Sequence, residues 1–253
     1  MNPPKPHHPD WQDWHKALQH QWNEARKSHS DPPVQDDVHR FRAALKYARA
    51  PLRLAPPSVS REANALRRTL GQIAQQLGPI RDHHVLAITF YALAKQSAAV
   101  AASPLTSEED ACLTSAQAQL ADVQGKLAPL RRPSDDPVEL HHAMRRSRRT
   151  MRRRRPKDWK TASAASIHTF RSAVIVCACQ AHFLRGIIGQ PKKSRLEWLN
   201  TLRSHLGDFN DLDRLMTYSR RNNGPPELTV TAKVMARAVK RQAALRRNLQ
   251  RLT

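Results

Sequence analysis

Apolar residues recur along most of this chain at helical spacing. Trp11, Trp14, Leu18, Trp22 and Ala25 mark one face of a first helix. Val38, Phe41, Leu45, Ala48 and Leu52 mark a second, over roughly 36–54. A third is predicted near 59–77, a fourth from Asp82 onward and a fifth near 106–129. The same order then returns: 140–155, 165–185, 192–206, a helix after Asp211, and 229–251. Leu77-Gly78 and Leu206-Gly207 put glycine where a helix C-terminus favours it. Asp82 and Asp211 fall where the following helix should start, so they are read as N-caps and arginine partners rather than catalysts. Strand alternation and hairpin dipeptides are absent.

The recurrence is a duplication. At an offset of 129 residues, Val38–Leu45 (VHRFRAAL) falls on Ile167–Val174 (IHTFRSAV). Leu70 falls on Leu199, Leu77-Gly78 on Leu206-Gly207, Asp82 on Asp211 and Leu86 on Leu215. Over positions 38–86 there are nine identities in 49 ungapped pairs, where ordinary composition gives about three. The expected fold is all-α: two antiparallel helical bundles, 9–130 and 131–253, related by a pseudo-twofold axis and together forming one domain.

Charge changes the picture most. Lys and Arg number 43 against 21 Asp and Glu, a formal net charge of +22. Like charge on that scale calls for a polyanionic partner. It is also placed with order. His39, Arg42, Lys46, Arg49 and Arg53 form a stripe displaced one residue from the apolar stripe of the second helix, about 100° around its axis. A merely solvated face would lie opposite the core. This one borders it, so the cations should line the rim of an inter-helix groove in a row roughly 21 Å long. In the second copy the stripe reads His168, Arg171, Ile175, Ala178 and His182, with two of the cationic positions lost. The run at 145–155, with eight arginines in eleven residues, is expected to fill that deficit through Arg145, Arg149 and Arg152.

These residues carry a resemblance. A His with basic residues at +3, +7 and +10, followed by a Leu-Gly-x-x-(Arg/Asn)-Asp block, is the pattern of the CHAD family, the conserved-histidine α-helical domain. "VHRFRAALKYAR" with "LGPIRDHHVL" resembles it once, and "IHTFRSAVIVCA" with "LGDFNDLDRL" a second time. The resemblance implies two helical bundles around a basic central groove or channel, binding of inorganic polyphosphate, and association with polyphosphate granules. It marks His39, Arg42, Lys46, Arg49, His168 and Arg171. Ile175 and Ala178 depart from the pattern, so the two halves need not bind equally.

Other chemistries are less favoured. Nucleic acid suits the charge, yet only 5% of residues are aromatic, which leaves few stacking platforms, and no helix-turn-helix reader stands out. Phosphoanhydride chemistry generally wants a metal on converging carboxylates or a phosphate loop, and neither pattern is present, so the protein is expected not to be an enzyme. The paired histidines His7-His8, His83-His84 and His141-His142 lack ligand spacing, so neither metal nor cofactor is expected. Cys112, Cys177 and Cys179 are odd in number and read as reduced thiols. The N-terminus carries no apolar signal core, and the longest apolar run is half a membrane span. A cytoplasmic protein is expected.

Overall fold

The structure, a computed structural model, describes residues 11–26, 33–95, 104–126, 130, 140–185, 193–221 and 230–253. His7-His8 and the junction at 131 lie outside the described residues. Every long element is helical: α1 Trp11–Arg26, α2 Gln35–Arg49, α3 Ser60–Gln76, α4 Gly78–Ala94, α5 Ser107–Gly125, α6 Leu140–Arg154, α7 Ala164–Arg185, α8 Lys193–Arg221 and α9 Ala232–Leu252. Among the described residues the only extended pairing is an isolated bridge between Val34 and Pro104.

The helices form because their apolar stripes find one another. Trp14, Leu18 and Trp22 of α1 are fully buried, as are Val38, Phe41, Leu45 and Ala48 of α2. The second copy repeats the pattern with Ile167, Phe170, Val174 and Cys177 on α7. These side chains belong to one continuous core spanning both copies. The Trp14 ring meets Phe183 of α7 edge-on at 6.4 Å. Gln180 of α7, fully buried, donates from Nε2 to the Ala50 carbonyl at 3.1 Å. Such a bond replaces the water that both polar groups lost. α2 packs on α7 and α4 packs on α8, which are the contacts a twofold arrangement of the copies would make.

Helix ends follow local chemistry. Val34 N–H donates to Asp37 Oδ2 at 2.9 Å, and Asp36 and Asp37 occupy the first turn of α2 while Lys46 and Arg49 occupy its last. Both signs suit the helix dipole. α2 stops at Arg49, earlier than its periodicity suggests, because Pro51 has no N–H to continue the ladder. The chain tightens instead into a short 3-10 turn, Pro51–Leu54, with Arg53 N–H bonded to the Ala50 carbonyl at 3.2 Å. Arg53 therefore leaves the axis of the row it was expected to extend.

The two Leu-Gly blocks fold differently from the expectation and from each other. Leu77 separates α3 from α4, and Gly78 and Pro79 open α4. Asp82 lies inside the first turns of α4 and caps nothing, since the N-cap position is Leu77. In the second copy there is no break: α8 runs 29 residues through Gly207, and Asp211 sits mid-helix. The reason is the next residue. Pro79 cannot donate to the Gln75 carbonyl and crowds it, which forces a new start, whereas Asp208 donates normally. Neither glycine takes a left-handed φ; the one described residue that does is Lys95, at 62°.

Gly207 is thus a helix-interior glycine, and a Cβ built there meets nothing within 4 Å. Gly207→Ala is expected to raise stability by about 0.5–1 kcal/mol, read as a higher urea midpoint at unchanged slope.

Candidate functional site

The cationic row of α2 is half-buried where it faces the centre of the molecule: Arg42, Lys46 and Arg49 are partly covered, while His39 and Arg53 at its ends are exposed. Small residues on the neighbouring helices make room for it. Arg42 Nη1 donates to the Ala74 carbonyl near the end of α3, and a Cβ on Gly78 would lie 3.8 Å from that nitrogen. Arg49 lies closer still to α3. A Cβ on Gly71 would stand 2.9 Å from its Nη2, so glycine is what lets the guanidinium lie flat against that helix.

Around this row the helices enclose a cavity of about 620 Å³. Arg42, Lys46 and Arg49 come from α2, Arg53 from the 3-10 turn, Arg67 from α3 and Arg81 from α4. Across from them stand Arg146 and Arg154 of α6, His168 and Arg171 of α7, and Arg214 of α8. Among the described residues, ten that line the cavity are Lys or Arg and none is Asp or Glu. Ile175, the departure from the cationic pattern, is part of the wall.

Crowding shows in the protonation equilibria. Burial first, then repulsion from Arg171, Arg81 and Arg42, brings the Lys46 ammonium down to about 8. Burial and Arg81 also hold the Arg42 guanidinium below its ordinary value, and burial dominates at the partly covered Arg49 and at Arg171. The His39 imidazole is held down by desolvation, then by Arg81 and Lys46, which keeps it neutral at pH 7. The Nε donors of Arg42, Arg49 and Arg171 are buried and make no hydrogen bond with any described residue. Among the described lining residues, cationic donors outnumber the acceptor side chains, which include the hydroxyls of Ser147, Thr150 and Ser172.

What tempers the repulsion is a small counter-charged cluster where the two Leu-Gly blocks meet. Arg81 Nη1 reaches Asp82 Oδ1 at 3.1 Å and its Nη2 reaches Asp211 Oδ1 at 3.4 Å. Arg214 pairs with Asp82 from the other side. Each copy thus supplies an aspartate to an arginine of the other. Arg81 is buried in this cluster, 9% exposed, and the pairs fix which way its guanidinium points.

Two further cavities flank the cationic one. His39 lines a cavity of about 310 Å³ with His84, Asp36 and Asp211. The other, about 750 Å³, is lined by His168, Arg171 and Arg214 together with Asp82, Asp213 and both neutral polar and apolar side chains. His168 sits at the boundary, its Nδ1 3.2 Å from Asn210 Oδ1.

The structure therefore brings Arg42, Lys46, Arg49, Arg53, His168 and Arg171 together, as the sequence pattern suggested. His39 lies beside them, in the adjacent cavity. It does not bring Arg145, Arg149 and Arg152 to the cationic cavity. Arg145 and Arg149 line a smaller neighbouring cleft with His142 and Arg146, which also reaches the cationic cavity, and Arg152 lines neither. Arg146 and Arg154 of the same run face the cavity instead. Arg67, Arg81 and Arg214 were not anticipated, although Arg81 stands in the motif block itself, directly before the recurring aspartate.

The remaining candidates have quieter roles. Cys177 and Cys179 are buried free thiols, pushed up to about 11 and about 12 by burial, so both are protonated at neutral pH. Among the described residues no three His, Cys, Asp or Glu side chains are grouped to hold a metal ion, and no helix is long and apolar enough to cross a membrane.

An all-helical chain with a duplicated His-Arg helix and paired Leu-Gly blocks around a cation-lined cavity defines a class. Residues 12–220 match the family model of the CHAD domain, and the chain belongs to the CHAD family. No curated protein and no solved structure matches it.

If the aspartates hold the cationic groups in place, Asp82→Asn should lower stability by about 1–2 kcal/mol, less than for a fully buried pair because Asp82 is 40% exposed. Chemical denaturation checks this, and added phosphate, which supplies the lost negative charge, should restore part of the loss.

Proposed function

We propose that this protein binds inorganic polyphosphate in the cationic cavity without cleaving it, and acts at polyphosphate granules in the cytoplasm. One observation carries the reading: among the described residues, ten Lys and Arg side chains line one cavity to which no Asp or Glu side chain contributes. Membership of the CHAD family supports it. A phosphate chain repeats a charged unit with several acceptor oxygens and has no base to read or stack. Guanidinium forks, which offer paired donors to phosphate oxygens, are the matching receptor. The uncommitted donors of the cavity would find their acceptors on the ligand. Much of the affinity then comes from counterions released by the chain, so binding falls steeply with salt.

Competition among long-chain polyphosphate, duplex DNA and RNA at two salt concentrations tests this. Polyphosphate should win charge for charge, and nucleic acid winning would replace the reading with nucleic-acid binding. Arg42→Ala with Lys46→Ala should weaken polyphosphate at least about tenfold and flatten the logarithmic salt slope by about 1–2. Release of phosphate from the chain, with or without divalent metal, would make the protein an enzyme.

Lys46 adds a pH signature. Bound phosphates would offset the repulsion from Arg171, Arg81 and Arg42, raising Lys46 from about 8 toward its ordinary 10.5. Between those values the complex holds a proton that the free protein lacks. Binding should therefore take up a proton, and affinity should fall as pH rises above about 8. Calorimetry in buffers of different ionisation heat measures the uptake, and Lys46→Arg should abolish it.

A further inference from the structure

The cavity of about 750 Å³ is larger than the cationic one and is built from different chemistry. The two share His168, Arg171 and Arg214, so they adjoin along one wall. Beyond that wall the lining is mixed: apolar with Leu86 and Phe209, neutral polar with Asn210 and Thr217, and acidic with Asp82 and Asp213. The Phe209 ring is fixed by the Arg246 guanidinium, 5.0 Å from its centroid. Asp213 is half-buried and makes no hydrogen bond or ion pair with any described residue.

A bare phosphate chain fits such a space poorly, since Asp82 and Asp213 repel it and Leu86 and Phe209 offer it no donors. An acyl chain would strand the Asp213 carboxylate away from water at a cost. A ligand that satisfies both cavities has a phosphate tail joined to an uncharged head with flat apolar faces and hydroxyl donors. We propose that this cavity takes the nucleoside of a nucleoside 5′-polyphosphate whose phosphates lie in the cationic cavity. The inference rests on the cationic cavity being a polyphosphate site. The volume is within the range of small-molecule sites, about 300–1,000 Å³, and Asp213 supplies the acceptor for hydroxyl or base N–H groups.

The duplication explains why only one half has the site. The 129-residue offset carries His168 to His39, Asp213 to His84 and Arg214 to Val85. The first-half counterpart, lined by those three, holds about 310 Å³ and shares no lining residue with the cationic cavity. Arg214 in place of Val85 gives the second half a guanidinium on the shared wall. The expected stoichiometry is one nucleotide per chain.

Calorimetry on the full chain without divalent metal decides it, with ATP, inorganic tripolyphosphate and adenosine as probes. Tripolyphosphate carries the higher charge, so electrostatics alone favours it over ATP. ATP should nevertheless bind about tenfold tighter, at one site per chain. Ala165→Trp, which adds bulk to the cavity wall from the exposed first turn of α7, should erase that preference and spare tripolyphosphate. Asp213→Asn, a smaller change, should reduce the preference without filling the cavity. ATP binding no tighter than tripolyphosphate, or keeping its advantage in both variants, overturns the nucleoside site alone. If neither anion binds, the polyphosphate reading falls with it.

Discussion

Ten cationic side chains cannot share one cavity unless something else holds the molecule closed, and that constraint organises the rest of the structure. The closing force is the apolar core that runs without interruption through both copies. Its strength lies in shared burial: Trp14 of α1 packs against Phe183 of α7, and Gln180 bonds the Ala50 carbonyl beside the cavity, so both contacts tie the halves together. Repulsion inside the cavity is then resisted by surface that would have to be exposed to relieve it. Asp82 and Asp211 act more locally. They do not neutralise the cavity; they orient Arg81 and Arg214 at its edge and leave Arg42, Lys46 and Arg171 facing an excess of their own sign.

Much of this was legible in the sequence, for stated physical reasons. The apolar stripes of α1, α2 and α7 are clean, so their buried faces follow from periodicity. The stripe beside the α2 core could be placed because its cations contrast with apolar neighbours. On α6 that contrast fails. Ala143, Met144 and Met151 mark the buried side, but arginines flank it on both edges. Only the docking of α6 against α7 and the 3-10 turn selects Arg146 and Arg154 over Arg145 and Arg152. The N-cap reading of Asp82 and Asp211 failed for a related reason: the residues fit a cap locally, while the pairs that join the copies, Asp82 with Arg214 and Asp211 with Arg81, are invisible to local rules.

The flanking cavities show how a duplicated unit diversifies. Equivalent positions carry histidine or aspartate, valine or arginine, and these exchanges alter volume and polarity while the helices around them persist. The loss of cations at Ile175 and Ala178 is a change of the same kind. Ile175 remains in the wall, Ala178 is fully buried, and the second-half helix adds apolar surface where its counterpart adds charge. One half supplies more of the attraction and the other more of the frame.

The contrast between Pro79 and Asp208 bears on mechanics. α8 is a single beam of 29 residues, whereas its counterpart is articulated at Leu77 into two shorter rods. A beam bends only by stretching its ladder of hydrogen bonds, while an articulation can swing about one residue. Arg67 rides on one rod, while Arg81 rides on the other, which is held to Arg214 of α8 through Asp82, so a change of angle at Leu77 alters the spacing of Arg67 and Arg81. The first half therefore frames the cavity with a jointed pair of helices, and the second with one continuous helix.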